Sequence, residues 1–190
     1  VINETIVVIY KLKSSFDEFF NPFNTNKERT LSHHISPLDG RYYDSVKELP
    51  EYFSESALMH YRLKVEIEYL IALGNEKSIN ELSPFSNNQQ SQLRKVYKNF
   101  NTSSAEKVKE IETATNHDVK ALEYYIQSKV KKSLHPWIHI ALTSEDVNNL
   151  SYSLMWQDGL RQVYLPALQS VNTELKKLAQ KYKKASMLAL

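Results

Sequence analysis

Apolar residues recur along most of this 190-residue chain at the three- and four-residue spacing of a helix face. Leu58, Tyr61, Val65, Tyr69 and Ala72 form one such face. Leu63, Ile67, Leu70 and Ile71 widen it, so a helix opened by Ser54-Glu55-Ser56 and running to about Leu73 should be buried on more than one side. Gly74 is the expected stop. A loop containing Pro84 follows, then a helix over Gln89 to Phe100, then a break with capping residues at Asn101 to Ser104. Lys107 to Glu112 leads into a second strongly periodic run, Val119, Leu122, Ile126 and Val130, which predicts a helix to about Lys132. Pro136 breaks the chain, and Trp137 to Leu142 is apolar with His139 inside it. The next helix begins near Thr143, carries Val147, Leu150, Leu154 and Arg161, tolerates Gly159, and should be kinked or interrupted by Pro166. Leu168, Val171, Leu175, Leu178 and Tyr182 then alternate as the seam of a bundle helix, which needs partner helices.

Composition supports an all-α reading. Only 3 glycines occur, and none forms a phosphate-cradling loop. The chain is 42% hydrophobic and 24% charged, which argues against wholesale disorder. A net charge of +2 gives no electrostatic case for nucleic acid, and no apolar run approaches a membrane span. Cysteine is absent, which removes disulfides and thiolate chemistry and fits a reducing compartment. Residues 1–30, with Thr5 to Tyr10 and the aromatics Phe16, Phe19, Phe20 and Phe23, match neither a secretory signal nor a transit peptide. They read as a weakly ordered or aromatic-docked leader. The chain begins with Val, so its true start is expected elsewhere.

Chemistry concentrates at three places. Asn116-His117-Asp118 precedes the helix of Val119, where unpaired N–H groups and the helix dipole favour an anion. Capping alone would account for Thr115, Asn116 or Asp118. Ser36-Pro37-Leu38-Asp39-Gly40 is turn chemistry presenting Arg41, Tyr42 and Tyr43; Arg41 either lies in solvent or binds a carboxylate or phosphate with its forked donors. Thr143-Ser144-Glu145-Asp146 fits an acidic capping box at another helix start. His139 reads as a hydrogen-bonded core residue.

In this order, Ser36-Pro37-Leu38-Asp39-Gly40-Arg41-Tyr42, Thr115-Asn116-His117-Asp118-Val119-Lys120-Ala121 and Thr143-Ser144-Glu145-Asp146-Val147-Asn148-Asn149 closely resemble the N-terminal region of the adenylosuccinate lyases, in the superfamily of fumarase, aspartase and argininosuccinate lyase. Phe53-Ser54-Glu55 and Tyr61 to Glu66 are similar too, so the resemblance covers about Leu31 to Tyr182. It implies a β-elimination releasing fumarate from adenylosuccinate, giving AMP, and from succinyl-aminoimidazole carboxamide ribotide in purine synthesis, with no cofactor and no metal. By resemblance, Arg41 and Tyr42 contact the nucleotide near its phosphate, and Asn116, His117 and Asp118 line the pocket. Thr143 and Ser144 hold a succinyl carboxylate. The implied organisation is a leader over 1–30, a helical domain over 31–142, and the start of a bundle domain over 143–190, in a cytoplasmic homotetramer. The family's general acid lies in a Thr-His-Gly-Gln segment expected soon after Lys184, where this chain reads Ala185 to Leu190. The serine base and further phosphate-site arginines lie farther on. The chain alone is therefore expected to lack the acid and base and to be inactive. Another lyase of the superfamily, or a non-catalytic helical interaction module whose motifs are only caps and turns, remains open.

Overall fold

The computed structural model of the chain describes residues 35–186, and every regular element among them is helical. The leader over 1–30 and the end from Met187 lie outside the described residues. The chain divides into two compact units, one ending at Lys47 and the other beginning at Glu48.

In the first unit, Asp39 Oδ1 accepts from the Ser36 N–H (2.8 Å) and hydroxyl (2.9 Å), and the Tyr42 N–H donates to the Pro37 carbonyl (2.8 Å). This turn leads into a single helical turn, α1 (Tyr43–Val46).

The second unit opens with α2 (Pro50–Phe53) and is built on α3 (Glu55–Asn75), capped by Ser54 Oγ, which accepts from the Ala57 N–H at 3.1 Å. Met59, Leu63, Ile67, Leu70 and Ile71 are buried together with Tyr61 and Val65, so α3 is covered on several sides, as its wide apolar surface predicts. Each fully buried aliphatic here contributes about 1.5–3 kcal/mol. Gly74 has a different role from the predicted stop. It lies inside α3 without a left-handed φ, and a Cβ built there would sit 2.7 Å from the Phe85 ring. The glycine lets Phe85 pack on the helix.

α4 (Asn87–Lys98) begins two residues earlier than the periodicity indicated, because Ser86 and Gln89 form a reciprocal capping box. Leu93 and Tyr97 bury against α3, and the Arg94 fork meets both oxygens of Glu68 at 2.7 and 2.8 Å. α5 (Thr102–Thr115), capped by Asn101, packs on α6 (Asp118–Lys129). Val108, Ala121, Leu122, Tyr125 and Ile126 join the core. A 3-10 turn over Lys132–Trp137 contains Pro136.

α7 (Ser144–Gly159) also packs on α3. Its buried stripe is Val147, Ser151, Met155 and Gly159, while the predicted Leu150 is 55% exposed. Small residues decide this: Ser151 closes its hydroxyl on the Val147 carbonyl, and Gly159 leaves room for Phe53, which a Cβ would approach to 2.6 Å. Pro166 interrupts the helix as expected. A π segment (Leu160–Tyr164) absorbs the missing N–H before α8 (Leu165–Tyr182) continues. The seam residues Leu168, Val171, Leu175, Leu178 and Tyr182 are 50–60% exposed.

Candidate functional site

The two-residue link between α5 and α6 carries the central chemistry. Asn116 closes α5 in the left-handed region (φ 50°), a conformation Asn tolerates better than most residues, and its N–H returns to the Glu112 carbonyl at 2.7 Å. The chain then extends at His117, and α6 starts at Asp118. The cap of α6 is His117, in place of Thr115, Asn116 or Asp118: its Nδ1 accepts the Lys120 N–H at 3.2 Å. An imidazole accepting at Nδ1 carries its proton on Nε2, so the neutral ring presents one N–H donor.

Asp118 uses both carboxylate oxygens. Oδ1 accepts the Val119 N–H at 2.8 Å, and Oδ2 meets Arg62 Nη1 at 2.8 Å. Burial opposes ionisation of Asp118. The Val119 N–H and the Arg62 guanidinium together outweigh it and hold the carboxyl below its ordinary value. Arg62 is only 7% exposed against 51% for Asp118, and its Nε donates to Asn148 Oδ1 on α7 at 2.9 Å.

These groups border a cleft of about 410 Å³. Leu58, Met59 and Val108 give it an apolar floor; Arg62, Asn116, His117 and Asp118 form one polar side. Glu55 and Glu112, also lining residues, share Lys109 Nζ at 2.8 and 3.0 Å. Such a cleft offers an imidazole, an amide and a fixed guanidinium–carboxylate pair beside an apolar surface, together with the carboxylates of Glu55 and Glu112.

Thr143 and Ser144 stand at the start of α7 and are not among the residues lining this cleft. The expected acidic capping box is present: Asp146 Oδ2 accepts from the Thr143 N–H (2.7 Å) and hydroxyl (2.8 Å), and Thr143 Oγ1 accepts the Asp146 N–H (3.3 Å). These Thr143 donors hold Asp146 below its ordinary pKa. The Ser144 and Glu145 N–H groups, at a helix start, remain for an anion or water. Arg41 and Tyr42 belong to the 35–47 unit, where both are exposed and the guanidinium carbon lies 5.3 Å from the Tyr42 ring centroid.

Two features are not evident from the sequence pattern. Arg62 hides on the broad apolar face of α3. His139 is hydrogen-bonded in the core as its sequence context predicts, but its partner, Glu66, is not identifiable from pattern. Glu66 Oε1 and His139 Nδ1 are 2.5 Å apart with side chains 3% and 15% exposed, and Glu66 Oε2 is buried with no partner. Burial pushes the Glu66 pKa up, against the opposing pull of His139. His139 (φ 61°) and Ala141 (φ 58°) are left-handed, each costing on the order of 1 kcal/mol, so side chains from α3 must hold the loop that leads to Thr143. Glu66 does so through His139, and the Tyr69 hydroxyl through the Ile140 carbonyl at 3.1 Å.

Residues 40–189 match the family model described as Lyase. The chain belongs to this lyase family. Adenylosuccinate lyase of Haemophilus influenzae is 42% identical over 160 residues, and that of Dictyostelium discoideum is 42% identical over 166. The Escherichia coli K12 adenylosuccinate lyase is 38% identical over 160 residues. Each alignment covers 82% of this lyase-family chain and 35% of the relative, so the chain spans about a third of the length of the curated relatives it matches. Among the described residues, no helix is long and apolar enough to cross a membrane, and no group of three or more His, Asp or Glu is arranged to hold a metal.

Proposed function

We propose that this chain contributes substrate-binding walls to an adenylosuccinate lyase, which eliminates fumarate from adenylosuccinate and from succinyl-aminoimidazole carboxamide ribotide. In that reaction a base removes a proton from the succinyl Cβ, the C–N bond breaks, and an acid protonates the departing nitrogen. Negative charge grows on the carboxylate next to the deprotonated carbon, so donors aimed at that carboxylate lower the barrier.

One observation carries the reading. His117 is fixed by its cap with Nε2–H left as a donor, in a cleft that also holds Asn116 and an apolar floor. In this scheme His117 and Asn116 hydrogen-bond the substrate. Thr143 and Ser144 supply a hydroxyl and helix-start N–H groups to a succinyl carboxylate. Arg41 and Tyr42 take the phosphate end, by forked donors and ring stacking. Asp118 acts mainly through its grip on Arg62. No acid or base is assigned to any of these residues, so the chain by itself binds substrate without turning it over. The exposed α8 seam supports assembly into a homotetramer, and the reading needs no cofactor. The names of the relatives support purine synthesis as the setting, and the reading places it in the cytoplasm.

Calorimetric titration tests this. Adenylosuccinate should bind the chain in preference to argininosuccinate, with Arg41→Ala and His117→Ala each weakening it, and no fumarate absorbance should develop. Preference for argininosuccinate would assign the chain to another lyase of the superfamily. Indifference to all these ligands would leave a helical interaction module.

A further inference from the structure

We propose that Arg62 is a positioning residue that sets the spacing between the two helix starts carrying His117 and Thr143–Ser144. A charged guanidinium on the buried face of α3 is costly to desolvate and persists only where its donors are used. Two of them are used on different helices: Nη1 on Asp118, the first residue of α6, and Nε on Asn148, one turn into α7. One rigid planar group therefore ties both helix starts to the central helix within a turn of the residues that face substrate. Each Asp118 oxygen is engaged by a donor that fixes the side chain, Oδ2 by Arg62 and Oδ1 by the Val119 N–H. The fork geometry matters as well as the charge: a lysine ammonium replaces one of the two contacts but does not span both in plane.

The proposal rests on the substrate-wall reading only for its consequence, so the test uses one readout that needs no substrate. The chain contains no cysteine, so Tyr124→Cys on α6 and Tyr152→Cys on α7, both at exposed positions, give a clean pair of spin-label sites. Pulsed electron resonance on the full chain should show a distance distribution that broadens in Arg62→Met and is partly restored in Arg62→Lys. Asn148→Leu, which leaves the Asp118 pair intact, should broaden it too and keeps the test open where Arg62→Met fails to fold. Adenylosuccinate binding should weaken about tenfold in Asn148→Leu, a typical coupling for contacting residues. An unchanged distribution in folded Arg62→Met, or in Asn148→Leu, overturns the strut. Failure of the parent chain to bind adenylosuccinate, with the broadening still seen, overturns the substrate reading and leaves the strut standing.

Discussion

Replacing Asp118 by Ala removes the carboxylate that faces a nearly buried guanidinium. Exposed ion pairs contribute about 0–1 kcal/mol, whereas breaking a fully buried pair costs about 3–5 kcal/mol. Here one partner is 7% exposed and the other 51%, so the pair lies between these limits. The substitution also removes the acceptor for the Val119 N–H at the first turn of α6. We therefore expect Asp118→Ala to destabilise the chain by about 2 kcal/mol, or on the order of 4–8 °C in Tm for a protein of this size. Asp118→Asn keeps one acceptor oxygen but turns its NH2 donor toward either the Val119 N–H or Arg62, so it should recover only part of the loss. The effect must titrate. Asp118 has a lowered folded-state pKa, so the unfolded chain holds more protons between that value and the ordinary carboxylate range. Stability from this group is thus complete above the ordinary carboxylate range and lost as pH falls through the lowered value. Urea unfolding of wild type and Asp118→Ala from neutral to acid pH should show a gap that closes at low pH, whereas Asp118→Asn should show no titration of its own. A loss under about 0.5 kcal/mol at neutral pH would refute the claim that Arg62 depends on this carboxylate. So would a loss of full size in an Arg62→Met background, where the pair no longer exists.

Further outcomes follow from other contacts. His117→Ala should cost about 1 kcal/mol of stability through the lost cap, and His117→Asn should recover most of it in the same unfolding assay. Glu66 has a raised folded-state pKa, so its contribution is present below the ordinary carboxylate range and lost as pH rises through the raised value; Glu66→Gln should flatten that decline in a Tm-against-pH series. Gly159→Ala sets a helix-propensity gain of about 1 kcal/mol against a 2.6 Å approach to Phe53, and repacking at about 1–3 kcal/mol should make the net change destabilising by thermal melt.

Much of this architecture is legible in the chain because short polar signals mark where helices begin. Ser54, Asn101 and Thr143 are side chains that accept a backbone N–H three residues on, and each caps a helix in the structure. The breadth of the apolar surface on α3 is likewise plain from its spacing. What spacing leaves open is which neighbour fills a given space. Gly74 and Gly159 look like a stop and a tolerated defect, but each accommodates an aromatic ring brought from elsewhere in the chain. The same limit hides Arg62 and Glu66, since a charged residue within an apolar face reveals its partner only when Asp118, Asn148 and His139 are folded against it. His117 stands out in the sequence for its chemistry, but its second duty as the cap is visible only in the backbone, because Asn and Asp on either side are the more common capping residues.

The most direct test of the substrate-wall account compares wild type with His117→Asn, a change that keeps the cap while removing the Nε2–H donor. Adenylosuccinate titrated into isotope-labelled wild-type chain should shift the backbone amide resonances of Asn116 to Lys120, and His117→Asn should retain its stability and lose most of that response. Unaltered binding by His117→Asn, or shifts confined to residues remote from the cleft, would contradict the account.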